Sequence, residues 1–253
     1  MPAIGDGLII ARVAKRIHVA AVRPGHITLN DAEAHHTRDV LRLKAGDVVE
    51  VFDDAGATAS ATLSALDSAG VTLDVQQIIE PSRPSGTAIT IATAVPKGDR
   101  ADWMVEKLSE LGVGRFIPLI TERSVVHPTG KSKSQRWMRL AIESAKQSHR
   151  PGVIQIDPLT PLAEVLKSAT PATPAWVMST QGAATPIAKL LQSPSPPAAI
   201  TIFIGPEGGW TDGELDQFTT AGATAVALTA TILRIETAAV TAAAVVACWK
   251  PSH

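Results

Sequence analysis

Residues Thr201 to Leu215 read TIFIGPEGGWTDGEL, an apolar run that stops at glycine, proline, glutamate and two further glycines. The run reads as a buried strand, and Thr211 with Glu214 three residues on forms a capping-box pattern that opens a helix. Strand, glycine-rich turn and helix start in direct succession are the parts of a parallel α/β sheet. Glycine-rich turns before a helix normally favour an anion, because unpaired N–H groups and the helix dipole converge there. Glu207 opposes that, since its carboxylate repels phosphate and competes for the same N–H groups. A ligand with hydroxyls, amines or a positive centre suits this turn better; a strand-to-helix turn with no ligand is the alternative at this point.

Working outward, strand and helix patterns alternate through the second part of the chain. AITIATAV (88–95) is an apolar run, and the segment after it carries Ala101, Met104, Val105, Leu108 and Leu111 on one helical face. RFIPLIT, SQRWMRLAIESAKQSH, GVIQI, PLAEVLKSA, AWVMST, DGELDQFTTAG, ATAVAL and ETAAVTAAAVVACWK continue the alternation. Such a series argues for an α/β domain with a mainly parallel sheet, whose ligands bind beyond the carboxyl ends of the strands. PSRPSG (81–86) can continue neither helix nor ladder and marks a domain boundary, giving domains at 1–80 and 87–253. Before it, GDVVEVFD, ATASATL and GVTLDVQQII alternate like strands of an antiparallel meander or small barrel. NDAEAHHTRDVLRL (30–43) reads as one helix, with Asn30 as cap, Glu33 three residues on, and Ala34, Val40, Leu41 and Leu43 as its apolar positions.

The composition, 45% hydrophobic and 19% charged over 253 residues, is that of an ordinary globular chain. The single cysteine, Cys248, excludes an internal disulfide and a cysteine-based zinc site, and its alanine-rich surroundings make it a small core residue. No run reaches about 18 apolar residues and no secretory pattern opens the chain, so a cytoplasmic protein with no membrane partner is the simplest reading. A net charge of -1 does not announce a nucleic-acid binder. Basic residues nevertheless cluster at Arg12, Lys15 and Arg16, at Arg38, Arg42 and Lys44, and from Lys131 to Arg150, and phosphate contacts depend on patches rather than totals. GKS at 130–132 lacks the earlier P-loop glycine, which is Val125 here. LGVGRF has Ile117 in the third glycine position, and the adjacent His35 and His36 cannot share a metal. No metal is expected.

A second unusual segment, LTATILRIETAAVTAAAVVAC, sets Arg234 and Glu236 between an apolar run and an alanine-rich helix. Glu236 suits the first-turn dipole. The alanines at 238, 239, 242, 243, 244 and 247 imply close approach by another subunit or by the chain itself.

HHTRDVLRLKAGD, KGDRADWMVEKLSELGV, TERSVV, ESAKQSHR, IGPEGGWTDGEL and ILRIETA, in this order, resemble the RsmE family, the 16S rRNA uridine N3-methyltransferases of the SPOUT superfamily. The resemblance spans about residues 12 to 249. It implies a small PUA-like β-barrel that helps to bind RNA, followed by a SPOUT domain with a deep trefoil knot and a mainly parallel sheet. It also implies a homodimer formed through the knotted domain and S-adenosylmethionine as cofactor. The cofactor would lie between Gly205, Pro206, Glu207, Gly208 and Gly209 on one side and Leu228, Ile232, Leu233 and Arg234 on the other, with Ser179 and Thr180 as a third wall. Its positive sulfonium is compatible with the acidic turn. The catalytic residues would be Arg234, which stabilises the uracil anion, then Arg123, with Glu236 or Glu207 as base. Contacts to 16S rRNA in the small subunit would come from Arg12, Arg38, Arg42, Lys44, Lys97, Arg100, Gln147 and Arg150. Thr229 and Thr231 stand where the family pattern has glycine and arginine; if position 229 needed a positive φ, threonine would cost roughly 1 kcal/mol or more. Another SPOUT methyltransferase acting on a ribose 2'-hydroxyl, and a non-catalytic RNA-binding assembly protein, remain alternatives. The cationic assignment predicts that binding to small-subunit RNA, measured by filter retention, falls steeply between about 50 and 200 mM salt; salt-insensitive binding would refute it.

Overall fold

The computed structural model describes residues 15–67, 70–79, 86–128, 130–180, 184–193 and 195–249. The chain divides into two compact units, Met1–Pro81 and Ser82–His253. Residues 81–85 of the proline-rich break, and Arg12, lie outside the described residues.

The first unit contains β1 (Arg16–His18), β2 (Gly25–Thr28), α1 (Asp31–His35), β3 (Val48–Phe52), β4 (Thr58–Asp67) and β5 (Gly70–Ile79). They form one sheet in the order β1-β3-β4-β5-β2, antiparallel except for the parallel pair β1 and β3. The alternating pattern of β3 and β4 buries Val49, Val51, Ala59, Ala61 and Leu63 against Val71, Leu73 and Ile17. Arg16, grouped by sequence with a basic cluster, is buried: its Nε donates to Glu50 at 2.6 Å and its guanidinium lies 4.2 Å over the Phe52 ring.

The helix expected over 30–43 is shorter and changes type. The Asn30 side chain caps it by accepting from the Glu33 N–H at 2.9 Å. After His35 the chain enters a π-helical turn, His36–Val40, and Arg42 then takes a positive φ of 53°. Ala34, before the wider turn, is buried as its spacing requires, whereas the turn shifts the phase of the side chains within it and leaves Val40 62% exposed.

The second unit contains β6 (Ala88–Thr93), α2 (Asp99–Glu110), β7 (Arg115–Ile120), α3 (Lys131–Ser148), β8 (Gln155–Ile156), β9 (Thr160–Pro161) and α4 (Leu162–Leu166). These are followed by β10 (Ala175–Met178), β11 (Thr185–Pro186), α5 (Ile187–Leu190), β12 (Ala199–Ile204), α6 (Asp212–Thr220), β13 (Thr224–Ala227) and α7 (Ile235–Ala247). The eight-stranded sheet runs β11-β13-β10-β12-β6-β7-β8, with β9 beside the end of β7, and every pairing is parallel. This α/β sheet agrees with the alternation read from sequence; the two-residue strands β9 and β11 and the short α5 are too brief to leave a periodic signal. On α2, Ala101, Met104, Val105 and Leu108 are buried as their spacing requires, and α2 packs on both α3 and α7. Helix α7 also lies on β6 and β12, with Ala239, Ala242 and Ala243 fully buried, so the alanines admit the close approach of the chain's own sheet. Cys248 is exposed, contrary to the core reading, because it follows the buried turn of α7 on the opposite side. Among the described residues no helix is long and apolar enough to cross a membrane.

One polar cluster fixes α2 against α3. Asp102 accepts from Lys133 Nζ at 2.7 Å, Arg136 Nε at 2.6 Å and Trp137 Nε1 at 2.8 Å. Burial by itself would raise the Asp102 carboxyl, but these three hydrogen bonds and the Lys133 charge outweigh it and hold it below the ordinary carboxylate range. Asp102→Ala strands the Trp137 N–H and should cost about 1–3 kcal/mol in denaturant unfolding. The charged contribution, from a lowered folded-state pKa, is complete above about pH 4, the ordinary carboxylate value, and is lost as pH falls below that through the lower folded-state value. The stability gap between the native chain and Asp102→Asn should therefore be flat near neutrality and close in acid.

Candidate active site

Beyond the carboxyl ends of β10, β12 and β13 lies a cavity of about 320 Å³, within the range of small-ligand sites. Its walls are three consecutive strand exits: Met178, Ser179 and Thr180 after β10, Gly205 to Trp210 after β12, and Leu228 to Leu233 after β13, apart from position 230. Ile235 and Ala238 of α7, Leu215 of α6 and Arg123 complete it. Ser179, Thr180, Gly205, Pro206, Glu207, Gly208, Gly209, Leu228, Ile232 and Leu233, all named from sequence, are thus brought together. Arg234 is not among the lining residues. Met178, Ile204, Trp210, Leu215, Val226, Ile235 and Ala238 were missed; the strand-end residues could have been found as neighbours of the turns.

The glycine-rich turn is held from behind. Gly209 N–H donates to Pro206 O at 2.8 Å, and Gly209 has a φ of +71° that a side chain would strain. A Cβ on Gly205 would stand 2.9 Å from Cε2 of the Trp210 ring, which itself packs edge-on against Phe218 at 4.8 Å. Arg123 Nη1 donates to Gly208 O at 2.8 Å and Trp210 O at 3.3 Å, tying one end of its guanidinium to the turn's backbone. Glu214 is 2% exposed; its Oε2 accepts from Thr211 N–H at 2.9 Å and its Oε1 from Glu122 N–H at 3.0 Å. The capping box read from sequence is present, and its glutamate also binds the loop after β7.

Residues 83–247 match the family model described as RNA methyltransferase domain, and residues 29–76 match the RNA methyltransferase PUA domain. The chain is 35% identical over 213 residues to ribosomal RNA small subunit methyltransferase E of Synechocystis sp., covering 84% of this chain and 69% of that protein. The chain belongs to the ribosomal RNA small subunit methyltransferase E family. It is 30% identical to the Bacillus subtilis member over 83% of this chain and 85% of that one. The crystal structure of the Neisseria gonorrhoeae member bound to S-adenosyl methionine superposes with a TM-score of 0.80 at 30% identity, over 92% of this chain and 96% of that one.

Against the roles that resemblance to the methyltransferase E family implied, the structure redistributes several cations and acids. Arg123 lines the cavity, and the hydrogen bonds of its Nη1 to two carbonyls give it a structural task there. Glu236 is buried and paired with Arg100 at 3.4 Å, an arrangement that suits an anchor rather than a base. Arg100 also lies 3.8 Å from Glu207, so its charge faces two protein carboxylates. Arg150 turns inward: its Nη1 donates to Ser109 O and Val113 O at 2.9 and 3.0 Å, and burial pushes its guanidinium down to about 10. Arg38, Arg42 and Lys44 of the first unit, and Lys97 and Gln147 of the second, are exposed. Arg234 is exposed at the N-cap of α7.

The family departures at 229 and 231 carry no backbone strain. Positive φ among the described non-glycine residues is confined to Arg42 and His149, and Thr229 Oγ1 donates to Thr231 O at 2.7 Å, closing the turn with a side-chain bond. Among the described residues no cluster of three or more His, Cys, Asp or Glu could hold a metal ion. Gly205→Ala should displace the Trp210 indole and cost about 1–3 kcal/mol, seen as lower denaturant stability with altered tryptophan emission. The milder clash at Gly208, where a Cβ would meet Arg123 carbons at 3.4 Å, should make Gly208→Ala the less damaging of the two.

Proposed function

We propose that this chain is an S-adenosylmethionine-dependent methyltransferase that modifies N3 of a specific uridine in 16S rRNA of the small ribosomal subunit. The observation that carries the reading is the cavity itself: among the described residues lining it the acid is Glu207, half in water with Arg100 at 3.8 Å, and the cation is Arg123, whose Nη1 is engaged by backbone carbonyls. Such a lining suits a cationic ligand and disfavours phosphate. The residues fit S-adenosylmethionine on a further ground, since Gly205, Gly208 and Gly209 put backbone on the cavity wall, and a side chain at Gly205 or Gly208 would press on Trp210 or Arg123, which also line it. The relative from Neisseria gonorrhoeae, described as bound to S-adenosyl methionine, supports the same reading.

S-adenosylmethionine, when bound, supplies an electrophilic methyl group on a positive sulfur. The chain's own work is to hold, align and keep water away. Leu228, Ile232 and Leu233 offer an apolar wall, and Gly205 to Gly209 offer backbone N–H and C=O groups for orientation. The acceptor nitrogen must be placed in line, the main contribution open to a protein in such a displacement. Uridine N3 carries a proton at neutral pH; a pKa about two units higher than the medium makes its removal cost roughly 2.7 kcal/mol. Arg234 is assigned to offset that cost by standing beside the developing anion, because its guanidinium is exposed next to the cavity residue Leu233. Glu207, half-exposed and lining the cavity, fits the role of proton acceptor better than the anchored Glu236.

The finer architecture belongs to the same proposal. We assign residues 1–80 to a PUA-like barrel and 87–253 to a SPOUT domain with a trefoil-knotted C-terminal part; the place of β13 between the earlier strands β10 and β11 is compatible with that assignment. The homodimer would use the outer side of α7, where Ala244, Val245, Cys248 and Trp249 with Leu191 make an apolar hollow. The enzyme would work in the cytoplasm, on RNA contacted by Arg38, Arg42, Lys44, Lys97 and Gln147. Incubation with labelled S-adenosylmethionine and small subunits lacking the modification should transfer label to one uridine, with mass spectrometry placing the methyl on the base. Label on a ribose would favour the 2'-hydroxyl alternative, and no transfer would sink the proposal. Arg234→Ala should lower kcat by about 10²-fold or more with little change in cofactor affinity.

A further inference from the structure

The cavity's two long walls are separate segments, the turn 205–210 and the segment 228–236, and their spacing must be set by something outside both. Arg100 is in position to do so. It sits in the first turn of α2, after Gly98 with φ +65°, on a helix anchored by the buried Ala101, Met104 and Val105 and by the Asp102 cluster. Its Nη2 lies 3.8 Å from Glu207 Oε1 in the turn, and its Nη1 lies 3.4 Å and 3.5 Å from the two carboxylate oxygens of Glu236 in the first turn of α7. Glu236 flanks the cavity residue Ile235 and has a side chain only 8% exposed, so Arg100 meets it largely away from water.

We propose that Arg100 is a positioning residue that ties the glycine-rich turn to the start of α7 through Glu207 and Glu236, and so sets the width of the cavity. This rests on the reading that the cavity takes S-adenosylmethionine. The two arms differ in strength. The Glu236 arm is the stronger, because removing the cation partner leaves a buried carboxylate uncompensated. The Glu207 arm, half in water, adds direction more than energy. A guanidinium spans two carboxylates with a planar fork, whereas an ammonium meets one. Loss of Arg100 also leaves two like charges on opposing walls with nothing between them.

Calorimetry with S-adenosylmethionine on the full chain tests this. Arg100→Ala should raise Kd about ten-fold or more, Arg100→Lys should recover part of the loss, and adding Glu236→Gln to Arg100→Ala should cost little further, since the pair acts as a unit. In methyl transfer, KM for the cofactor should rise far more than kcat falls. Unchanged Kd, or additive losses in the double variant, would overturn the proposal. Hydrogen exchange reads the tie without any ligand: Arg100→Ala should speed exchange in 205–210 and 231–237 while leaving α3 protected. Equal acceleration in α3 would mean general destabilisation and overturn the proposal, as would no acceleration in either wall. A native chain that fails to bind S-adenosylmethionine yet shows the wall-specific exchange would overturn the functional reading and leave Arg100's tie standing.

Discussion

One buried carboxylate joins the two loops on which the glycine-rich turn rests. Glu214 has no room for solvent and satisfies its two oxygens with backbone N–H groups from different places, Thr211 at the start of its own helix and Glu122 in the loop after β7. Such a group is costly to leave unpaired, so the turn after β12 and the loop after β7 are placed together or not at all. Arg123, next in the chain to Glu122, is thereby delivered to the carbonyls of Gly208 and Trp210. The glycine-rich turn owes its shape to this bracing as well as to its glycines.

The charges around the cavity follow a consistent division. Three arginines of the second unit are engaged by the protein itself: Arg123 by carbonyls, Arg100 by two glutamates, Arg150 by the carbonyls at the end of α2. Exposed cations lie on the first unit and on the surface of the second, where the proposed RNA substrate would meet them without competing for the cavity. A cavity poor in free positive charge and a surface that keeps some are what a cationic cofactor and an RNA substrate ask of one chain.

Much of this was legible in the residues. The alternation of apolar runs and helical faces led to the parallel sheet, and the glycine turn with its capping box located one wall of the cavity. What escaped was set by tertiary partners. The period of 30–43 gave no sign of the π turn that exposes Val40, because a single extra residue per turn leaves composition unchanged. Arg150 and Arg100 looked like surface cations since only the folded chain shows which carbonyls or carboxylates lie opposite. Thr229 looked strained by comparison with a glycine, until its hydroxyl was found bonded to Thr231 O in an ordinary backbone region. Cys248 was misjudged because an alanine-rich helix reads as buried all round, although only one side of it faces the sheet.

The position of β13 has a consequence for how the molecule comes into being. It is hydrogen-bonded on one side to β10 and on the other to β11, both of which precede it in the chain. Its insertion closes long loops at once, the kind of non-local step that slows folding. The cavity wall 228–233 follows β13 directly, so the pocket is complete only once β13 is paired on both sides. A ligand that recognises all three walls therefore finds nothing to bind in the partly folded chain and favours only the finished one.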